Sequence, residues 1–333
     1  MKFLFKTPFV LLLAIACLAM PFSFQTAAVA LAEDKAAQSY YKLNSDKYIA
    51  RKSQGAYSLC WAFSASRSLE TYLQNFNITI DISESYASLA YANYVRDATI
   101  DISQESSNNL NYIVGGAGHS LYFQRGLNTY GIATEQDVPY SLVSTFRNVG
   151  PNGYKSALET YSNKANTTLV DDLSFVWAGD LDSEKNVVSI IKTYLTLYGS
   201  VYTQVNMFYM HDNQDTKCIY TPEISAPRTN HAVSIVGWDD NYTYGDHKGA
   251  FIAMNSYGAN DEFLYVMYDD YNASEFAKCI QSVRINGVLH TTNINKTPQD
   301  FNENVILLPA AGVFALLITI PPAILNHKLR ENA

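Results

Sequence analysis

The chain has little basic charge, little cysteine and no metal signature. Its 333 residues hold 23 Lys and Arg against 31 Asp and Glu, a formal charge of −8. No run of lysine or arginine reverses that balance locally, so a field that would gather nucleic acid is missing. Neither Cys-x-x-Cys nor His-Glu-x-x-His occurs, and no metal ion or other cofactor is called for. No internal repeat is present. Four cysteines occur, at 17, 60, 218 and 279. Long uncharged apolar runs are confined to the two ends, leaving roughly 270 residues between them, enough for one large domain or two lobes that share a cleft.

The first end starts Met1-Lys2-Phe3-Leu4-Phe5-Lys6, continues apolar over 9–20, and reaches small residues at Ala28, Ala30 and Ala32. A basic start, an apolar middle and an Ala-x-Ala end predict a secretory signal peptide over 1–32. Pro21 and the shortness of the apolar core favour cleavage over an uncleaved anchor. At the other end, 305–325 carries no charge and is followed by Asn326-His327-Lys328-Leu329-Arg330. About 20 apolar residues suffice for a membrane-crossing helix, and the basic tail over 326–333 belongs on the cytoplasmic side. The expected arrangement is a globular part outside the cell at 33–285, a polar spacer at 286–304, then the anchor. Leu308-Pro309-Ala310-Ala311-Gly312 also looks like a degenerate sortase signal. With Cys17 removed, three cysteines remain. Cys218 and Cys279 are either a bridged pair or two free buried thiols.

Helical periodicity runs from Cys60 to about Phe76. A second helix starts at Asp81-Ile82-Ser83-Glu84 with Ser83 as its cap, and a third covers 120–130 with Gly131 as its C-cap. Residues 139–168, rich in Ser, Asn, Gly and Tyr, are expected to wrap the surface. A further helix over 186–198 ends at Gly199. Strand-like runs follow at 201–205, 232–237, 250–255 and 263–268. Helices first and strands second give an α+β protein with a helical lobe and a sheet lobe.

Three distant runs carry chemistry. Gln54-Gly55-Ala56-Tyr57-Ser58-Leu59-Cys60-Trp61-Ala62-Phe63 places a thiol at the start of a helix, where free amides and the dipole favour thiolate. Asn230-His231-Ala232-Val233 supplies an imidazole. Asn255-Ser256-Tyr257-Gly258 supplies an amide to orient it. Thiol, base, orienting amide and a second amide are the parts of acyl transfer by covalent catalysis. His119, His211, His247 and His290 lack any comparable setting and read as surface residues.

The Gln54 run resembles the nucleophile segment of papain-like cysteine peptidases. The likeness continues in order through Ile82-Ser83-Glu84, Gly115-Gly116, Gly131 to Tyr140 as Gly-x-x-x-Glu-x-x-x-Pro-Tyr, Tyr198-Gly199-Ser200-Val201, Asn230-His231, Val236-Gly237-Trp238 and Asn255-Ser256-Tyr257-Gly258. Among relatives it looks most like the secreted or surface-attached bacterial branch. The resemblance implies a papain-like two-lobe fold, with the active-site cleft between a helical N-terminal lobe and a β-sheet C-terminal lobe. It implies Cys60 as nucleophile, His231 as its base, Asn255 as orienter and Gln54 in the oxyanion hole. Gly115 and Gly116 would line the substrate backbone, with Asn230 and Tyr257 beside it. The partner implied is a peptide or protein substrate. Tyr57 stands where plant members have a disulfide cysteine, Ser58 where a glycine is usual, and Tyr257 where a tryptophan shields the His–Asn bond. Two other readings keep the fold: a non-catalytic surface adhesin using the Tyr-rich cleft, and a transamidating acyltransferase. Oligomeric state is not legible.

Overall fold

The longest helix of the catalytic run starts where the sequence places its thiol. The computed structural model of the protein describes residues 31–32, 34–44, 52–97, 114–162, 170–177, 187–213, 215–222, 229–258, 263–285 and 287–291. After strand β1 (Tyr40–Lys42) comes helix α1 (Cys60–Leu73), buried along almost its whole length. A helix buried on all sides needs small residues where it meets a neighbour closely. In α1 those are Ser64, Ser68 and Thr71. Ser64 Oγ donates to the Val233 carbonyl at 2.7 Å, and the Ser200 amide donates to Thr71 Oγ1 at 2.8 Å. Gly199 completes the fit. It sits at φ +97°, and a Cβ there would lie 2.6 Å from Thr71 Oγ1.

Helix α2 (Glu84–Asp97) starts as expected, since Ser83 Oγ accepts from the Tyr86 amide at 3.0 Å. Helix α3 (Ser120–Tyr130) ends at Gly131, whose amide donates to the Leu127 carbonyl. Residues 143–162 depart from the expected surface wrap: they form α4 (Val143–Ser162), broken at Gly150 (φ 64°) with Pro151 opening its second half. Proline suits a first helical position because its missing N–H would have no partner there. Phe146, Tyr154 and Leu158 are buried from this helix, and Asn93 Nδ2 bonds the Tyr154 carbonyl. Together α1 to α4 enclose an apolar core built on Trp61, Phe63, Tyr86, Leu89, Phe123 and Phe146.

The second lobe is a sheet. Its elements are β2 (Val170–Trp177), α5 (Val187–Tyr198), β3 (Val201–Val205), β4 (Met210–Asn213), β5 (Thr216–Ile219), β6 (His231–Tyr244), β7 (His247–Met254), β8 (Leu264–Met267), α6 (Tyr271–Glu275), β9 (Lys278–Ile285) and β10 (Val288–Thr291). The strand order is β10-β9-β3-β6-β7-β8-β5-β4, with β1 on β6 and β2 on β9. Its own core holds Ile191, Leu195, Val205, Ile235, Trp238, Phe251 and Val266. Two cores, one helical and one under a sheet, make the expected α+β two-lobe architecture.

Residues 288–291 correct another expectation. They form a hairpin strand on β9 instead of a spacer, with Val288 opposite Ile285 and Gly287 at φ +82° in the turn. An Asn-Gly pair between apolar residues is a strong two-residue hairpin signal. Cys218 and Cys279 are both buried and free, one in each of two separate apolar clusters. Among the described residues no helix is long and apolar enough to cross a membrane. The signal segment up to residue 30, the apolar run at 305–325 and the tail at 326–333 lie outside the described residues.

Candidate active site

Strand β6 and helix α1 bring two of the three chemical runs together. Cys60 is the first residue of α1 and keeps partial solvent access. The residue before it, Leu59, offers no side-chain cap, so the Cys60 and Trp61 amides have no partner within the helix. Burial pushes the Cys60 thiol up. The amides of Ala232, Trp61 and Cys60 itself pull it down by bonding the sulfur. Ala232 directly follows His231 in β6, so the sulfur lies within hydrogen-bond reach of the imidazole's own strand.

His231 Nε2 and Asn255 Oδ1 are 2.5 Å apart. Asn255 Oδ1 also accepts from the Ser256 amide at 2.8 Å. An atom that accepts from a backbone N–H is an oxygen, so His231 must be the donor in its bond and carries its proton on Nε2. The neutral ring then has a free lone pair on Nδ1. Burial lowers the His231 pKa, and the Asn255 bond partly restores it. The Tyr257 ring covers this pair, with its centroid 5.0 Å from that of His231, and is itself 50% exposed.

Gln54 is held through both its side chain and its backbone. Nε2 donates to the Tyr57 carbonyl at 2.7 Å, Oε1 accepts from Ser256 Oγ at 2.6 Å, and the Gln54 amide donates to the Ser256 carbonyl. A primary amide nitrogen has two hydrogens. One is used on Tyr57, and the other remains. Tyr140 Oη donates to the Gln54 carbonyl at 2.8 Å and fixes the backbone from the far side.

Gly115 and Gly116 abut the same loop. The Ser58 amide donates to the Gly115 carbonyl, and Trp61 Nε1 donates to the Gly116 carbonyl at 2.9 Å. The Tyr57 ring lies so close to Gly115 (φ +79°) that a Cβ there would sit 2.7 Å from Tyr57 Cδ1. Asn230 is placed next to His231, but its side chain accepts from the Met207 amide and donates to Asn206.

Of the residues singled out by sequence, Gln54, Cys60, His231, Asn255, Tyr257, Gly115 and Gly116 converge on one place. Ser256 and Tyr140, both inside the motifs above, join the site through Gln54, a role that their sequence setting does not signal. His119 is a correction: it is not a plain surface residue. It caps α3, with Nδ1 accepting the Leu121 amide, and lines a cavity. Burial, aided by the charges of Lys278 and Arg125, drops its pKa to about 4.

The family model described as papain family cysteine protease matches residues 42–263, more than half of the chain. The chain belongs to the papain family. Among solved structures, it is similar to the clostridial cysteine protease Cwp84 in its form after propeptide cleavage. That match has 22% identity and a TM-score of 0.52, over 74% of this chain and 58% of that one. A second match is to the cysteine protease and lectin-like domains of Cwp84, described as a surface layer associated protein of Clostridium difficile. It has 21% identity and a TM-score of 0.52, over 78% and 53% of the two chains. At these identities the likeness is one of fold, and this papain-family chain spans little more than half the length of either. No curated protein matches.

Proposed function

We propose that the protein is a cysteine endopeptidase that hydrolyses peptide bonds through Cys60 and His231. The observation that carries this is the double acceptance by Asn255 Oδ1, which fixes the His231 tautomer beside a helix-start thiol.

In the first half-reaction the Cys60 sulfur attacks the scissile carbonyl carbon, and its proton passes to His231 Nδ1. The negative oxygen that forms is stabilised by the unused Gln54 Nε2–H and the Cys60 amide. His231 then gives the proton to the leaving amine, the C–N bond breaks, and an acyl thioester remains. Water attacks that thioester, with His231 as base. The acid leaves and the thiol is restored. Asn255 orients the ring throughout. Gly115, Gly116, Asn230 and Tyr257 border the substrate.

We place the protein at the cell surface. Support comes from the two ends of the sequence: a signal-like start over 1–32 and a charge-free run over 305–325 before a basic tail. The neighbour Cwp84 is itself described as surface layer associated.

A thiol-reactive epoxide tests the reading. Wild type should be labelled on Cys60 and should cleave a peptide pool, with product masses that include one added water. Cys60→Ala should do neither. Wild type that neither labels nor cuts would end the proposal.

A further inference from the structure

A cavity of about 380 Å³ opens beside the site, between the start of α3 and strands β2, β3 and β9. Gln204 in its wall stands opposite Ala232 in the β3–β6 register, and the Ala232 amide is one of the three that bond the Cys60 sulfur. His119, another wall residue, opens α3 three positions after Gly116. The cavity therefore lies one strand pairing away from the thiol.

Its polar groups are mainly donors. Lys278 is half-buried, and its only described partner is the Trp177 ring, 4.0 Å from the ammonium. No described lining residue is acidic. Burial lowers the Lys278 pKa, the mark of a cation lacking a counter-ion. Gln124 Oε1 already accepts the Phe175 amide, and Gln204 Oε1 the Thr229 hydroxyl. What each glutamine has left is N–H. Ser120 is fully buried, and its Oγ has no partner among the described residues. The other walls are Leu121 and the rings of Phe175, Trp177 and Phe276. A pocket of donors around a cation with no counter-ion among the described residues, lined otherwise mainly by rings, fits a short methylene chain ending in a carboxylate.

We propose that this cavity receives an acidic side chain of the substrate, Glu or Asp, and that Lys278 is its specificity-determining residue. This rests on the peptidase reading for its role, though binding itself does not need turnover.

The test uses Cys60→Ala protein and matched peptides carrying Glu or Gln at each position in turn, with binding read by tryptophan fluorescence. At one position Glu should bind about tenfold more tightly than Gln, the scale of one charge-assisted hydrogen bond. Lys278→Met should erase the difference, Lys278→Arg should keep it, and Lys278→Glu should turn the preference toward Lys. Equal binding of Glu and Gln at every position overturns the proposal, as does no binding at all or a Glu preference that survives both Lys278→Met and Lys278→Gln. These outcomes are separate from the epoxide result. Wild type that binds Glu peptides selectively but is never labelled would sink the peptidase reading and leave the acidic pocket standing.

Discussion

The Ser256 hydroxyl donates to Gln54 Oε1 at 2.6 Å, joining residues 202 positions apart. Both are nearly buried, so the bond sets which face Gln54 Nε2 turns to the thiol. It also ties the asparagine run to the nucleophile run without passing through His231.

Ser256→Ala removes that tie and leaves a buried acceptor without a donor, a loss of roughly 1–3 kcal/mol. The expected kinetic effect is a fall in kcat of about tenfold with KM little changed, smaller than the ~10²–10³-fold of deleting an oxyanion donor. Gln54→Ala should produce the larger drop. The double variant should be no worse than Gln54→Ala alone, because both act through one amide. Steady-state kinetics on the three variants checks this. Additive losses would contradict it.

The chemical residues were legible because each came inside a run whose neighbours were also informative. Cys60 preceded an apolar-periodic helix, and His231 opened an apolar strand. Ser256 and Lys278 were not legible, because their roles depend on partners far away in sequence. The same holds for the fold. Helix α3 was readable from its periodicity and Gly131. Helix α4 was not, since Gly150-Pro151 and the Ser/Asn content read as loop, and only packing against α2 makes it helical. Strand β2 pairs β9 with two register shifts, which removes the clean alternation that marks a strand.

Asn255→Ala takes away the one interaction that raises the His231 pKa. Burial remains and keeps lowering it. The expected result is an acid limb of kcat/KM displaced to lower pH, together with a fall in kcat of about 10²-fold from the freed ring, the lower end of a positioned base's contribution. A pH–rate profile decides it. An acid limb that moves upward would contradict the assignment of Asn255 as the partner that accepts from His231.

Tyr257→Ala should shift the same limb the other way. The ring packs 5.0 Å from His231 and is half exposed, so its loss admits water to the imidazole. Desolvation is what lowers the His231 pKa, and hydration lets it climb toward ~6.5. The two substitutions, both beside one ring, are thus expected to separate in sign. Titration of the His231 ring by NMR in each variant provides a check independent of turnover.

A largely buried ion cluster supports the segment leading into Gln54. Lys52 Nζ lies 2.9 Å from Glu70, 2.7 Å from Glu84 and 2.6 Å from Asp81. Burial, with the Glu70 charge beside it, pushes the Glu84 carboxyl up to about 8 against the pull of Lys52. Its unfolded value is ~4.3. Between those two values the folded state binds more protons than the unfolded, so stability falls as pH rises through the window from ~4.3 toward 8. Glu84→Gln should flatten that decline, as measured by denaturant midpoints at a series of pH values. Lys52→Met strands the buried Glu70 carboxylate and takes the cation away from Glu84, and should cost about 3–5 kcal/mol at neutral pH. A Lys52→Met variant as stable as wild type at neutral pH would show that the cluster is held by something other than its charges.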